Sequence, residues 1–463
     1  MFKSSVAELF PLPLAAFERY MLLDDRPDYP MVFAIRLNFL GEIRRREFES
    51  ALTETLPSHP LLCALAKRST HRKPTWELGE TSPNVDWNGH GVPIGNVHGG
   101  RIDLSSEPGL RLWVRQGNGT AEVTVRFHHA SCDGVGALRF IGHLLAAYAA
   151  KTSPQQGRCP ALPRSDPTSL LRRECLAASP SRPRPSGRFP AIWNSVRDGV
   201  RWLKRQPAVL ASSVPDARSD PTSLPCLGME CHALDRSETT RLGQIAARQG
   251  GTLNDLLLRD MFQTLRQWTL KHPSASAATW LRIAIPVNLK TGSGERLSAA
   301  NGVSYTFVTR HPNECDNAQK LLQSIHGETD AATCRRRSLM FLRGFCLMEH
   351  IPGAIPLYMS MRRCFATAVL SNLGEITRHL GVRFPRESGK IVAGNLILED
   401  IFGVPPVRPN TRAAFMIGIY SRRLGIALRA DPLVFSPADA RRLLALYVEQ
   451  LRGTIDAAVE SME

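Results

Sequence analysis

Apolar and polar residues alternate in the first part of the chain, which predicts the strands of a half-buried sheet. The alternation is clear from Phe33 to Phe39, and shorter strands are expected at 111–114 and 121–127, on either side of a Gly-Asn-Gly turn. The apolar period changes to that of a helix over 48–56 and again from Val135 to Tyr148. This part of the chain therefore predicts an α/β domain.

The second part of the chain repeats this alternation of strands and helices. Helices are predicted at 237–248, at 252–268, where Thr252 and Asp255 resemble a capping box, and from Pro437 onward. Further strands are predicted for four short apolar segments, at 283–287, 303–308, 415–419 and 424–428.

The composition is that of a globular protein. Of the 463 residues, 43% are apolar and 22% are charged, which leaves room for two or three domains and a sizeable core. No run approaches the roughly 18 apolar residues of a membrane span, and the N-terminal segment lacks a secretory apolar region. The ten cysteines form no CxxC pair, so we expect reduced thiols and no metal site. The cytosol is the expected compartment.

Half of the net charge of +16 lies in one segment. Residues 151–225 hold thirteen Lys or Arg against five Asp or Glu, with twelve of the 33 prolines. This is typical of a solvated crossover linker and lacks the interleaved aromatics of a nucleic-acid-binding face, so no nucleic-acid partner is expected. Within it, 191–205 has the spacing of a basic amphipathic helix, which favours a peripheral membrane contact. We expect an N-terminal subdomain at 1–150, this linker, and a C-terminal subdomain at 226–463.

The strand-to-helix junction at 128–134 reads His-His-Ala-Ser-Cys-Asp-Gly and carries the candidate chemistry. A histidine at the end of a strand can point into a cleft, and an unperturbed imidazole titrates near pH 6.5, so His129 can accept a proton at neutral pH. Asp133 stands where a carboxylate caps a helix, and Gly134 lets the backbone turn sharply and approach a neighbouring group. Each residue alone is usually structural, but the combination is rare by chance.

Two nucleophilic mechanisms are weaker interpretations of this junction. Cys132 could pair with His129, but the neighbouring carboxylate of Asp133 disfavours a thiolate. A Ser-His-Asp hydrolase would need a nucleophile elbow, and no GxSxG occurs in the chain. Proton transfer by His129 is the chemistry that the residues favour.

HHASCDG at 128–134 resembles the HHxxxDG signature of the chloramphenicol-acetyltransferase-like acyltransferase superfamily, which includes nonribosomal peptide condensation domains and wax ester synthases. Other segments are similar to its wax ester synthase and alcohol acyltransferase branch. They are LDDRPDYPMVFAIRL at 23–37, the His59-Pro60 loop, TLNDLLL at 252–258, IPVNLK at 285–290 with Asn301-Gly302, SNLG at 371–374 as the loop beside the acyl tunnel, and 404–431 as the closing strands.

The resemblance implies an α/β fold of two chloramphenicol-acetyltransferase-like subdomains around a central substrate tunnel. It implies an O-acyltransferase that moves an acyl group from acyl-CoA or an acyl carrier protein to a hydroxyl acceptor, with His129 as general base. No tightly bound cofactor is expected, because the CoA or phosphopantetheine thioester is a co-substrate. Two alternatives stay open: a stand-alone condensation-type enzyme that acylates an amine, and a non-catalytic member that binds an acyl ligand.

The resemblance also implies roles for residues around the motif. His128 is expected to pack or hydrogen-bond beside the site, and Asp133 to shape the motif through a cation and the helix start. Lys290 stands where the family usually has an arginine, the candidate partner of this aspartate, and Arg282 is a substitute for it. The residues expected to contact substrate, the first three as oxyanion donors, are Asn301, Ser304, Ser371 and Asn372.

Overall fold

The alternating apolar segment at 32–40 forms a strand at the centre of the larger of two principal sheets. The structure is a computed structural model that describes residues 6–67, 73–79, 82–95, 100–153, 160, 166–173, 202, 204–212, 228–272, 280–289, 298–361 and 363–460. The strands are β1 (Leu12–Pro13), β2 (Val32–Leu40), β3 (Ala64–Lys67), β4 (Thr75–Leu78), β5 (Val85–Gly89), β6 (Leu110–Gly117), β7 (Thr120–His128), β8 (Met229–Ala233), β9 (Leu281–Asn288), β10 (Val303–Arg310), β11 (Ala368–Glu375), β12 (Arg386–Glu387), β13 (Lys390–Ala393), β14 (Leu396–Val404), β15 (Ala413–Tyr420) and β16 (Arg423–Ala430).

The α-helices cover these sheets. Every helix and strand that the hydrophobic pattern predicts outside the linker is confirmed within one to four residues at its ends. The helices are α1 (Ala16–Leu23), α2 (Arg45–Thr55), α3 (Gly134–Thr152), α4 (Arg236–Arg248), α5 (Leu253–Lys271), α6 (Ala318–Thr329), α7 (Ala331–Met348), α8 (Ala354–Ser360) and α9 (Pro437–Glu460).

The first sheet has the strand order β12-β13-β14-β2-β7-β6-β5. Its neighbours pair antiparallel except β5 and β6, which are parallel. The alternating apolar side chains of β2, from Phe33 to Phe39, share one buried core with apolar residues of α2 and α3. Burial of one face of each strand explains the two-residue period seen in the sequence.

The second sheet has the order β10-β9-β11-β15-β16-β8. Strand β11 runs parallel to both β9 and β15, and the other pairs are antiparallel. Helices α4, α5 and α9 bury their apolar faces on this sheet, with Leu443, Tyr447 and Leu451 of α9 in the core as the period predicts. A third, small sheet has the order β1-β4-β3.

The two large sheets do not divide at the crossover linker. Strand β14 pairs antiparallel with β2, from Ile397 opposite Leu40 to Val404 opposite Ala34, so 386–404 completes the first sheet. The limits at 150 and 225 stay predictions as domain boundaries, but the first sheet draws strands from both sides of them. This exchange connects the two sheets directly, since β14 belongs to the first sheet and the next strand, β15, to the second.

The proposed amphipathic helix at 191–205 lies outside the described residues apart from Trp202, Lys204 and Arg205. The Trp202 ring stacks on Phe365 at a centroid distance of 5.9 Å and lies 4.6 Å from the Arg282 guanidinium carbon. Trp202 therefore faces the protein. Among the residues that the structure describes, no helix has both the length and the apolar character needed to cross a bilayer.

Candidate active site

The HHxxxDG segment occupies the turn between strand β7 and helix α3. His128 is the last residue of β7 and pairs with Val32 of β2. The backbone N–H of His129 donates to the carbonyl of Met31 at 2.7 Å. The first residue beyond the strand is therefore still held by the neighbouring strand, so its side chain leaves the sheet in a fixed direction.

The side chain and peptide of His129 are held from several directions. The Asn301 side-chain amide donates to the carbonyl of His129 at 2.7 Å, and the Phe33 ring lies against the imidazole with centroids 5.0 Å apart. Nδ1 is buried and has no hydrogen-bond partner among the described residues. The ring borders a large cavity, so Nε2 is the nitrogen available to a molecule bound there.

The surroundings of His129 keep its imidazole neutral. Burial lowers its pKa to about 4, because an imidazolium loses its hydration there. The backbone carbonyl of the same residue and the Asp133 carboxylate oppose this shift in part. At neutral pH the ring is therefore in the form that can accept a proton.

His128 is fully buried and has a supporting position. Its Nδ1 accepts from the backbone N–H of Ala130 at 3.1 Å, and its Nε2 lies 3.8 Å from Oδ1 of Asp25. That carboxylate also accepts from Arg101 Nε at 2.7 Å and from the N–H of Met31 at 2.9 Å. Burial alone would raise the pKa of Asp25, but these interactions hold it below its usual range. His128 thus lies beside the hydrogen-bonded Asp25 carboxylate, and its Nε2 has no hydrogen-bond partner among the described residues.

Asp133 joins helix α3 to the second sheet. Its Oδ1 accepts from the backbone N–H of Gly136 at 2.7 Å, which is N-cap geometry. Its Oδ2 accepts from the backbone N–H of Gly302 at 2.8 Å, just before β10. The carboxylate therefore fixes the position of the motif relative to the segment that carries Asn301.

Of the two cations expected to pair with Asp133, Lys290 lies outside the described residues, so its pairing stays a prediction. Arg282 is buried, and its guanidinium group donates to the backbone carbonyls of residues 202 and 205 and to Thr309. Its partner Thr309 is seven residues along the chain from Gly302, which places Arg282 about 23 Å away along the strand. The expectation for Arg282 is not met, because its side chain satisfies other groups.

The first turn of α3 contains two glycines in different surroundings. An added Cβ at Gly134 would stand 3.8 Å from Leu373, at the cavity wall. An added Cβ at Gly136 would lie 3.1 Å from both N and O of Ala300. The close backbone approach expected at Gly134 therefore belongs to Gly136, and Gly134 leaves space in the cavity.

A cavity of about 500 Å³ adjoins the motif. Its wall near the motif includes His129 and Gly134, and strand β10 contributes Val303, Tyr305 and Phe307. Most of the described lining is aromatic, proline or aliphatic, and eleven of its thirty residues are polar or charged. That mixture is typical of sites for small organic ligands.

Two of the four residues expected to contact substrate line this cavity. Ser371 and Asn372 both do, although they continue strand β11 and do not form the expected loop. The Asn372 amide donates to Oδ1 of Asn254 at 3.1 Å and its oxygen accepts from the N–H of Gly374 at 2.9 Å. Asn254 belongs to TLNDLLL, lies between Thr252 and Asp255 of the confirmed capping box, and also lines the cavity.

The other two residues have different positions. Asn301 binds the backbone of His129 and does not line the cavity. Ser304 is fully buried and donates to the carbonyl of Ser338 at 2.9 Å. Because side chains alternate along a strand, the flanking Val303 and Tyr305 face the cavity and Ser304 faces away. The expectation that Ser304 contacts substrate is not met.

Cys132 is fully buried in the apolar core beneath α3. A thiol in this position does not reach a molecule in the cavity, since the residue is not part of its lining. The structure therefore does not support the cysteine nucleophile considered from the sequence.

Sequence reasoning missed a pair of buried histidines behind the motif. His59 Nδ1 accepts from the backbone N–H of Ala299 at 2.8 Å, so its Nε2 carries the proton and donates to His143 Nδ1 at 2.9 Å. The pair thus supports the 298–302 segment that binds His129 and Asp133. The two residues were visible as polar interruptions in apolar segments, but nothing local indicates their contact.

No family model matches the chain. Two uncharacterized proteins of Mycobacterium tuberculosis, MT2362 of strain CDC 1551 / Oshkosh and Rv2305 of strain H37Rv, are 23% identical to it over 335 residues. This alignment covers 69% of the chain and 71% of each relative.

Solved structures identify the class of fold. The first condensation domain of the CDA synthetase matches with a TM-score of 0.65 and 14% identity over 96% of this chain and 95% of that one. The epimerization domain from the third module of tyrocidine synthetase B matches at 0.62 and 14% over 97% of each. Polyketide synthase associated protein 5 from Mycobacterium tuberculosis matches at 0.58 and 16% over 95% and 96%. The chain therefore has the condensation-domain fold, α/β with two chloramphenicol-acetyltransferase-like subdomains, as the resemblance implied.

Proposed function

We propose that this protein transfers an acyl group from a thioester to a hydroxyl acceptor, with His129 as general base. The observation that carries the proposal is the position of His129. Its peptide is fixed by Met31 and Asn301, and its neutral imidazole borders a mostly apolar cavity large enough for organic substrates. A neutral base held beside a bound hydroxyl and thioester is the arrangement that direct acyl transfer needs.

In the proposed reaction, Nε2 of His129 takes the proton of the acceptor hydroxyl as its oxygen attacks the thioester carbonyl carbon. The C–S bond then breaks, and the imidazolium returns the proton to the departing thiolate. The low pKa of His129 is compatible with this role, because the oxyanion that develops beside the ring favours the protonated imidazole in the transition state. No acyl-enzyme is required, since the thioester is already activated.

Other residues support the base in this proposal. Asp133 and His128 shape the turn by accepting hydrogen bonds from backbone amides, and Gly134 leaves room for the reacting groups. The reaction also needs a hydrogen-bond donor that stabilises the oxyanion. Ser371 is the candidate, because it alone among the three expected donors lines the cavity.

The donor in this proposal is acyl-CoA or an acyl group on a carrier protein. Support comes from a starter condensation domain of rhizomide synthetase, of the same fold at a TM-score of 0.60 and 14% identity, which was solved as a variant with C8-CoA and Leu-SNAC. The choice of a hydroxyl acceptor, the wax ester synthase branch and a continuous substrate tunnel rest on the sequence resemblance. In this protein, the apolar part of the cavity lining supports an acyl donor, because it suits a hydrocarbon chain.

The test compares His129→Asn with the matched control His350→Asn, which alters an exposed histidine after α7. Purified variants are incubated with a panel of acyl-CoA donors and pooled alcohols and amines, and products are identified by mass spectrometry. We expect ester formation by the parent and the control, and a loss of at least about 100-fold for His129→Asn. Near-parental turnover by His129→Asn would refute the base assignment. Amide products would favour the condensation alternative, and ligand-induced thermal stabilisation without any product would favour the non-catalytic one.

A further inference from the structure

The cavity extends along strand β11. Both Val369 and Gly374 of this strand line the cavity, and Gly134 lies opposite Leu373. The segment before β15 also contributes to the wall, through Pro405, Pro406, Arg408, Pro409 and Thr411.

Three arginines line the cavity: Arg26, Arg363 and Arg408. Arg26 donates to the carbonyl of Met359 at 2.6 Å, and its Nε lies 3.5 Å from Oδ1 of Asp24. Arg408 forms an ion pair with the other oxygen of the same carboxylate. One buried aspartate therefore holds two guanidinium groups at the cavity wall.

The charged side chains of the described cavity lining are mostly cations. Asp24 is 1% exposed and is not part of that lining. Among the described lining residues, the one carboxylate is Asp133. The Arg408 guanidinium also lies 5.5 Å from the Tyr20 ring centroid, within an aromatic and proline-rich wall. Cations in such a concave, weakly hydrated place attract anions strongly, and guanidinium groups bind phosphate and carboxylate through paired hydrogen bonds.

We propose that the arginines of the cavity wall, Arg26, Arg363 and Arg408, bind an anionic group, phosphate or carboxylate, of a substrate whose reactive end reaches His129. The inference rests on the proposed function for the statement that the bound molecule is a substrate, but the anion site itself does not depend on turnover. Asp24 holds Arg26 and Arg408, and the next residue, Asp25, lies beside His128, so this part of the wall is near the motif.

The experiment uses ligand pairs that differ in the anionic group. CoA is compared with pantetheine, which lacks the phosphates, and hydroxydecanoate is compared with decanol. Dissociation constants are measured by calorimetry for the parent, for Arg363→Gln and for a double variant, Asp24→Asn with Arg408→Gln. The double variant removes both charges of the ion pair, so neither is left buried without its partner. Arg241→Gln, an exposed arginine on α4, is the matched control.

We expect at least one anionic ligand to bind more tightly than its uncharged partner. Arg363→Gln and the double variant should each weaken that ligand by about tenfold or more, with no change for the uncharged partner or in Arg241→Gln. Loss of CoA binding would identify the phosphate source, and loss of hydroxydecanoate binding the carboxylate source. The proposal is overturned if neither anionic ligand binds, if charged and uncharged partners bind equally, or if the cavity variants behave as Arg241→Gln does. These experiments measure binding and not turnover. A failure of the proposed reaction would therefore be seen in the product assay with His129→Asn and would not affect this test.

Discussion

The side-chain amide of Asn301 donates to the backbone carbonyl of His129 at 2.7 Å. Asn301 leads into the second sheet, whereas His129 follows the last residue of a central strand of the first sheet. The bond therefore fastens the candidate base to the opposite subdomain. With Met31 holding the N–H of His129 from the other side, the position of the imidazole depends on how the two subdomains meet.

Replacing Asn301 with alanine should lower kcat by about 10- to 100-fold with little change in KM, because a displaced base impairs proton transfer more than binding. The matched control is Ser304→Ala, which removes a hydroxyl on the face of β10 away from the cavity. Steady-state kinetics of both variants separate the two parameters. A larger loss of kcat in Ser304→Ala than in Asn301→Ala would contradict the positioning role.

The pH dependence of turnover should report the burial of His129. Burial lowers its pKa to about 4, and only the neutral ring accepts a proton. The value of kcat/KM should therefore be constant from neutral pH down to about pH 5 and fall by half near pH 4. Initial rates, with the fold monitored by circular dichroism at each pH, give this profile. A midpoint near 6.5 would show that the free enzyme keeps this imidazole hydrated.

The His59–His143 pair should make stability depend on pH. Burial lowers the pKa of both rings, that of His143 to about 4, whereas both titrate near 6.5 in an unfolded chain. As the pH falls, the unfolded chain takes up protons first. The free energy of unfolding contributed by the pair is therefore complete above about pH 6.5 and is lost as the pH falls toward 4.

The variant His143→Gln tests this dependence, since its side-chain oxygen can still accept the His59 N–H while one titrating ring is removed. Urea unfolding at pH 7 and at about pH 5 should show a smaller loss of unfolding free energy in the variant than in the parent. His129 titrates in both proteins and does not affect the difference. Equal losses would mean that His143 is already hydrated in the folded protein.

The sequence predicted strands well where one face is buried and the other is not, as in β2, because that environment imposes a two-residue period. It missed β11, whose apolar start at Ala368 gives way to polar residues that border the cavity. It also gave no sign that Ile397 pairs with Leu40, since long-range pairing leaves no local pattern. The local architecture was therefore predictable, and the exchange of strands between subdomains was not.

The site was predictable where its residues are close in sequence. The 128–134 segment placed His129 and Asp133 correctly relative to a strand end and a helix start. Ser304 was misplaced because neighbouring residues of a strand face opposite sides, so an error of one position reverses the side. The partner of Asp133 at Gly302 is a backbone amide, which no side-chain pattern indicates.

The two glycines in the first turn of α3 should respond differently to replacement by alanine. Alanine at Gly136 would bring its Cβ to 3.1 Å from the Ala300 backbone, so overpacking of about 1–3 kcal/mol should exceed the gain in helix propensity of up to about 1 kcal/mol. The displaced 299–302 backbone should also lower kcat. Alanine at Gly134 meets only Leu373 at 3.8 Å, so stability should be equal or higher, while KM for bulky substrates rises because the cavity narrows. Urea unfolding and steady-state kinetics of both variants decide the matter: a Gly136→Ala variant with parental stability and kcat would show that the 299–302 segment can shift without consequence for His129.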